Sequence, residues 1–269
     1  MITYPFTYRR PASLAEAEAA LKASPDAKLI AGGQTLIATM KQRLASPSIL
    51  IDIARLGELR FIRREGDALI IGAGARHSDV ATSQDVMKAV PALAELAETI
   101  GDPAVRHMGT LGGSLANNDP AADYPAAVLG LAATVTTTKR AIAADDFFQG
   151  MFQTALEEDE IVKEVAFPVP EKAAYAKFKN PASRYALAGV FVAKTGSGVR
   201  VAVTGAGPGV FRIPEMEAAL AKSFSPDAVA NIAVDADSLN SDIHASAEYR
   251  AHLVTVMAGR AVKAALERA

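Results

Sequence analysis

The segment from Lys28 to Ile53 constrains the fold of this chain more than any other part of it. Lys28-Leu-Ile-Ala31 is a short apolar run of strand character, and Gly32-Gly33 turns the chain. Ile37, Met40 and Leu44 then recur at the spacing of one helical face up to Ser46-Pro47, and Ile49-Leu-Ile-Asp-Ile53 is again a buried strand. Two such strands with a helix between them, all within about 25 residues, pair in parallel through a crossover, because no hairpin can join a parallel pair. The first lobe is therefore predicted to be α/β. A helix precedes it: Ser13-Leu-Ala-Glu16 has the form of a capping box, and Leu14, Ala17 and Leu21 follow at helical spacing until Pro25-Asp26.

Leu69-Ile-Ile-Gly-Ala73 opens a second lobe with predicted helices over residues 78–88 and 91–100. Residues 101–125 are rich in Gly, Asn, Asp and Pro and read as a long loop, which inside a folded unit points to function. A helix and then a Thr/Val strand follow over residues 126–138, and Glu164-Val-Ala-Phe167 is another strand. Residues 168–172, with two prolines, form the predicted domain boundary. This divides the chain into residues 1–168, with lobes of about 1–56 and 57–168, and residues 172–269. Beyond the boundary, residues 185–193 and 199–204 read as an antiparallel pair joined at Gly196-Ser-Gly198. Helices are predicted at 214–222, 225–232 and 245–266, the last with Tyr249, Leu253, Val256 and Met257 on one face. The fold class is thus α+β with an α/β N-terminal part.

Composition narrows the chemistry. Lys and Arg number 28 against 30 Asp and Glu in 269 residues, which gives no footprint for a polyanion. Cysteine is absent, which removes disulfides, thiolate metal sites, Cys-ligated iron–sulfur clusters and cysteine nucleophiles. Arg9, Arg10 and Pro11 interrupt the opening residues where an export signal needs an apolar stretch. The longest apolar run, residues 126–135, falls short of the roughly 20 residues a membrane span needs, so a cytoplasmic protein is expected. The four histidines, His77, His107, His244 and His252, show no metal-ligand spacing and are expected at surface or loop positions.

Two glycine turns carry the functional signal. Ala31-Gly-Gly-Gln-Thr-Leu36 follows a strand, and Thr110-Leu-Gly-Gly-Ser114 lies in the long loop. Glycine lets backbone N–H groups approach an anion, and a turn that runs into a helix start adds partial positive charge. Each turn alone is compatible with ordinary chain reversal; two of them, bordered by Thr35, Thr110 and Ser114, suit a diphosphate. Gly72-Ala-Gly-Ala-Arg-His77 and Gly205-Ala-Gly-Pro-Gly209 are rejected as dinucleotide fingerprints, and no Gly-Lys-Ser/Thr loop occurs. Asp119 before Pro120 suits a helix N-cap, whereas Asp123 could face a ligand hydroxyl or amine. Lys177, Lys179 and Arg184 lie just past the boundary, on a solvated face or at a phosphate or flavin edge.

These residues resemble the FAD-binding medium subunit of molybdenum hydroxylases, the group of carbon monoxide dehydrogenase, xanthine dehydrogenase and bacterial aldehyde oxidoreductases. The resemblance spans nearly the whole chain. It is carried by Tyr8-Arg-Arg-Pro-Ala-Ser-Leu-Ala-Glu16, the two glycine turns, Ile100-Gly-Asp-Pro-Ala-Val-Arg106, Asp119-Pro-Ala-Ala-Asp123, Phe178-Lys179, Ala182-Ser-Arg184 and Ala247-Glu-Tyr-Arg250. It implies a two-lobed FAD-binding domain of the vanillyl-alcohol-oxidase type followed by a small α+β domain. In such proteins, positions matching Leu29, Ile30, Ala31, Gly32, Gly33, Gln34, Thr35 and Leu36 wrap the FAD pyrophosphate and ribityl chain. Those matching Thr110, Gly112, Gly113 and Ser114 close the other side; Ile100, Val162 and Asp123 lie along the cofactor, and Lys179 reaches it from the second domain. His107-Met108 and Tyr124 depart from the usual family residues.

The expected function is that of a flavoprotein subunit. It would take electrons from iron–sulfur clusters on a small partner subunit, beside a large molybdopterin subunit, and pass them to a terminal acceptor. A dimer of heterotrimers is expected, and no side chain of this chain is assigned as catalytic. The rivals are a self-contained flavin oxidase, which would need a base over the flavin and in this fold often a Cys or His tether, and a scaffold that has lost its cofactor. The intact glycines at 32, 33, 112 and 113 weigh against the scaffold.

Overall fold

In the computed structural model, which describes residues 2–268, the N-terminal segment folds as a parallel crossover. β1 (Thr7–Arg9), α1 (Leu14–Lys22), β2 (Ala27–Ile30), α2 (Leu36–Lys41) and β3 (Ile49–Asp52) form a sheet of order β1-β3-β2 with both pairs parallel. Ser13 accepts from the Glu16 N–H at 3.2 Å, and the Glu16 carboxylate accepts from the Ala12 N–H at 2.8 Å. Leu14, Ala17 and Leu21 pack with Ile51, Ile53, Leu59 and Ile161 in a core of their own. The helix α2 is shorter than the apolar spacing predicts. Arg43 turns left-handed at φ 62°, and the Arg43 and Leu44 N–H groups bond back to Met40 and Thr39, closing a Schellman end that leaves Leu44 75% exposed.

The second lobe is a five-stranded antiparallel sheet of order β4-β5-β10-β6-β7. Its elements in chain order begin with β4 (Ile62–Glu65), β5 (Ala68–Gly72), α3 (His77–Thr82), α4 (Gln84–Ala89) and α5 (Pro91–Glu98). The predicted helix over 78–88 is therefore two, broken at Ser83, whose hydroxyl accepts from the Val86 N–H at 3.4 Å. The stretch predicted as a long loop is largely helical: α6 (Pro103–Arg106) is capped by Asp102, and α7 (Leu111–Asn117) is capped by Thr110 and ends at Asn118, φ 44°. Polar caps made these short helices look like loop. Asp119 is no cap; its carboxylate accepts from the Ala121 N–H at 2.9 Å, and Asp123 holds the N-cap position of α8 (Tyr124–Gly130). The lobe closes with β6 (Thr134–Thr137), β7 (Ala141–Ala143), α9 (Ala144–Phe147), the small β8 (Phe148–Gly150) and β9 (Gln153–Thr154) ribbon, and β10 (Val162–Pro168).

Residues after 172 form an antiparallel sheet of order β11-β12-β13-β14: β11 (Lys172–Lys179), β12 (Ala186–Thr195), β13 (Gly198–Thr204) and β14 (Phe211–Arg212). The predicted hairpin pair is present; β11 was not foreseen. Val190 and Val192 of β12 pack under α10 (Pro214–Lys222) and α11 (Ala247–Glu267), while Phe191 and Ala193 point into the core of the second lobe. A strand buried on both faces reads as one apolar run, which is how Ala186–Thr195 appears in the sequence. The helix predicted at 225–232 is a single 3-10 turn, Pro226–Ala228. On α11, Leu253 and Met257 are buried and Tyr249 is 44% exposed. No helix among the described residues is long and apolar enough to cross a membrane.

Candidate functional site

The two glycine turns meet. Gly33 takes φ 68°, a left-handed conformation that lets the chain leave β2 and enter α2 at Thr35. The second turn is stitched to the end of β5: Gly112 and Leu111 donate to the carbonyls of Ala73 and Ala75 at 2.8 and 3.0 Å, and His77 donates to the Gly109 carbonyl at 3.0 Å. A Cβ on Gly112 would lie 2.5 Å from the Ala73 Cβ. A Cβ on Gly32 would lie 2.2 Å from the Met108 carbonyl oxygen and 2.7 Å from the Gly109 Cα. Only glycine lets the first turn rest on the second.

Beside this contact opens a cleft of about 1170 Å³, above the roughly 300–1,000 Å³ of ordinary small-ligand pockets. Its walls include Leu29, Ile30, Ala31, Gly32, Gly33, Gln34, Thr35, Leu36, Ile100, Thr110, Gly112, Gly113, Ser114, Asp123 and Val162. Residues far apart in the chain are thus brought to one cavity. Lys179 is the exception: it borders a separate, smaller hollow rather than the cleft. The Thr110 hydroxyl accepts from the Gly113 N–H at 3.1 Å, and the Thr35 side chain makes no capping bond. The donor set suits an elongated diphosphate ligand: two glycine-shaped turns with hydroxyls alongside, and apolar walls beyond them.

Three features of the site escape sequence reasoning. Asp123 is buried and accepts from the Tyr175 hydroxyl at 2.5 Å and from Lys177 Nζ at 2.9 Å, so β11 is clamped to the start of α8. Burial pushes its carboxyl up, opposed by the Lys177 charge and by both hydrogen bonds. Lys177 also donates to the Thr99 carbonyl at 3.2 Å. Tyr185 reaches the cleft from the start of β12 and is the one Phe, Tyr or Trp among the residues lining it. Finally, His77 is a buried cleft residue, not the surface or loop histidine expected. Its spacing to Gly109, thirty-odd positions on, carries no motif, so nothing in the sequence could have paired them.

The His77 ring sits 5.3 Å from that of Tyr124, and neither His77 Nδ1 nor the Tyr124 hydroxyl has a hydrogen-bond partner. Burial first, and the Arg106 charge second, lower the His77 pKa to about 4, and burial raises that of Tyr124. In the unfolded chain histidine takes up its proton near pH ~6.5, whereas folded His77 stays neutral until about pH 4. As pH falls through this window the unfolded state binds the extra proton, so stability falls, by up to about 3 kcal/mol. Denaturant unfolding of wild type and His77→Gln between these pH values is expected to show that this part of the loss disappears in the variant.

Comparison with known proteins identifies the family of the chain. Residues 4–170 match the family model for the FAD binding domain in molybdopterin dehydrogenase, and residues 173–265 match that for the CO dehydrogenase flavoprotein C-terminal domain. The chain is 38% identical over 286 residues to the carbon monoxide dehydrogenase medium chain of Hydrogenophaga pseudoflava, covering 100% of this chain and 98% of that one. It is 38% identical to the nicotine 6-hydroxylase medium subunit of Paenarthrobacter nicotinovorans, with 95% of each chain covered. Among solved structures it superposes on a chain of quinoline 2-oxidoreductase from Pseudomonas putida 86 with a TM-score of 0.92 at 31% identity, over 100% of this chain and 99% of that one. Chains named medium in this way are parts of complexes with larger and smaller subunits. With both family models matched over nearly the whole chain and relatives of this kind aligned end to end, the chain belongs to the FAD-binding medium subunits of the molybdenum hydroxylases, as the flavoprotein subunit of a multi-subunit oxidoreductase.

Proposed function

We propose that FAD lies in the cleft with its diphosphate at the two glycine turns, held by the backbone of residues 29–36 on one side and by Thr110, Gly112, Gly113 and Ser114 on the other. The close seat of Gly32 on Met108 and Gly109 is the observation that carries this reading, because it holds the first turn, whose N–H groups at residues 32–35 donate to no backbone carbonyl among the described residues, beside the Thr110 and Ser114 hydroxyls of the second. Ile100 and Val162 exclude water along the cofactor, and Asp123, anchored by Lys177 and Tyr175, borders it. FAD supplies the ability to exchange electrons singly or in pairs; the chain supplies position and electrostatics.

In this reading electrons arrive from the iron–sulfur clusters of a small subunit, while substrate is oxidised on a large molybdopterin subunit, and the assembly is a cytoplasmic dimer of heterotrimers. The chain itself divides at 168–172 into an FAD-binding domain, residues 1–168, and a C-terminal domain, residues 172–269, even though the faces of β12 tie the two through a common core. Purified chain titrated with FAD is expected to acquire the visible flavin absorption with one flavin per chain. A folded chain that takes up no flavin overturns the proposal. Co-expression with the two partner subunits, followed by light scattering, tests the assembly.

A further inference from the structure

A second hollow, about 290 Å³, adjoins the cleft and shares Gly101 with it. It is bounded by three cations, Lys177, Lys179 and Arg184, and one carboxylate, Glu98. Two of these charges are already matched. Lys177 is paired with Asp123 at 2.9 Å, and Glu98 with Arg106 at 3.0 Å. Lys179 and Arg184 form no ion pair among the described residues, so the hollow keeps two uncompensated positive charges.

The turn that carries Arg184 is built rather than incidental. Asn180 is 5% exposed; its N–H donates to the Tyr185 carbonyl at 2.8 Å, and its side-chain oxygen accepts from the Ala182 N–H at 2.9 Å. Arg184 donates its N–H to the Asn180 carbonyl at 2.9 Å and is held at φ 65°, a left-handed conformation that an arginine rarely adopts. The result is an alternation: Ser183 and Tyr185 border the cleft, and Arg184 between them borders the hollow. A group held by Arg184 is therefore one residue away from the aromatic wall of the cleft.

We propose that this hollow is an anion subsite, and that it takes a phosphate or carboxylate group of the small molecule to which the flavin gives its electrons, with Arg184 and Lys179 as its ligands. A guanidinium supplies the planar pair of donors such groups need, and the ammonium adds a point charge. The assignment rests on the reading that FAD occupies the cleft.

The probe is inorganic phosphate, added to the full FAD-loaded chain carrying nitrogen-labelled arginine side chains. The Arg184 signal, identified by its loss in Arg184→Gln, is expected to shift saturably with phosphate and not with sodium chloride at equal ionic strength. In Lys179→Gln the half-saturating phosphate concentration is expected to rise about tenfold, the effect of one charge-assisted bond. A shift that chloride reproduces, or none, overturns the subsite. In a second arm the loaded chain is reduced with dithionite and reoxidised by ferricyanide. Each ferricyanide takes one electron, so two are consumed per flavin while two protons go to water. The rate is expected to saturate with ferricyanide and to be inhibited competitively by phosphate, whereas reoxidation by the cationic ferrocenium ion ignores phosphate. Equal inhibition of both acceptors, or of neither, overturns the link to the acceptor. A chain that takes up no FAD overturns the cleft reading instead, whereas a loaded chain silent to phosphate overturns the subsite alone.

Discussion

Gly32→Ala is expected to cost the chain its FAD. The added methyl group would stand 2.2 Å from the Met108 carbonyl oxygen and 2.7 Å from the Gly109 Cα, and both are main-chain atoms that no rotamer change can move aside. The first turn must therefore lift from the second, and the geometry proposed to receive the diphosphate opens. Overpacking of this kind costs about 1–3 kcal/mol. If it is drawn from cofactor affinity, FAD binds roughly ten- to a hundredfold more weakly, which a titration followed by flavin fluorescence measures directly. Gly57→Ala serves as the control, because a Cβ there meets nothing within 4 Å. Wild-type affinity in Gly32→Ala would show that the contact between the turns does not shape the site.

The second large effect is on stability. In Asp123→Ala the Lys177 ammonium, whose side chain is only 4% exposed, keeps the Thr99 carbonyl but loses its counter-ion, and the Tyr175 hydroxyl loses its acceptor. Removing one partner of a buried ion pair costs about 3–5 kcal/mol, because the charge left behind is neither hydrated nor compensated. Urea unfolding is expected to report that loss. The double variant Asp123→Ala with Lys177→Met should recover part of it, since the stranded charge is then gone. A double variant no more stable than the single one would mean that Asp123 matters for its hydrogen bonds and not for its charge.

The glycine turns and the crossover were legible because their cause is local. Gly32-Gly33 after Lys28-Leu-Ile-Ala31, followed by a helical spacing and another apolar run, specifies a path for the chain with no reference to distant residues. The Ser13 cap and the buried stripe of α1 were readable for the same reason. Where the reading went astray, the deciding contacts lie elsewhere in the chain. β11 is polar enough at Lys172, Lys177 and Lys179 to look like a surface segment, yet it pairs along its length with β12. His77 looks like an unremarkable histidine until Gly109 is laid over it, and Asp123 becomes half of an ion pair only when β11 crosses α8. Family resemblance pointed to Asp123 and Lys179 as cofactor neighbours; the cleft contains the first and leaves the second in the adjoining hollow.

The separate core of the first lobe bears on how the protein breathes. Leu14, Ala17, Leu21, Ala27, Ile51 and Ile53 reach the rest of the molecule through little more than Leu59 and Ile161, while the second and third sheets share one continuous interior. The lobe with the smallest interior opens at the lowest cost, so amide exchange in β1, β2 and β3 should outpace that in β10 and β12. A ligand seated across both glycine turns binds only the closed form and raises the cost of opening by mass action. With FAD seated there as proposed, the cofactor acts as a clasp on the N-terminal lobe, and limited proteolysis of the flavin-free chain is expected to cut first at this seam.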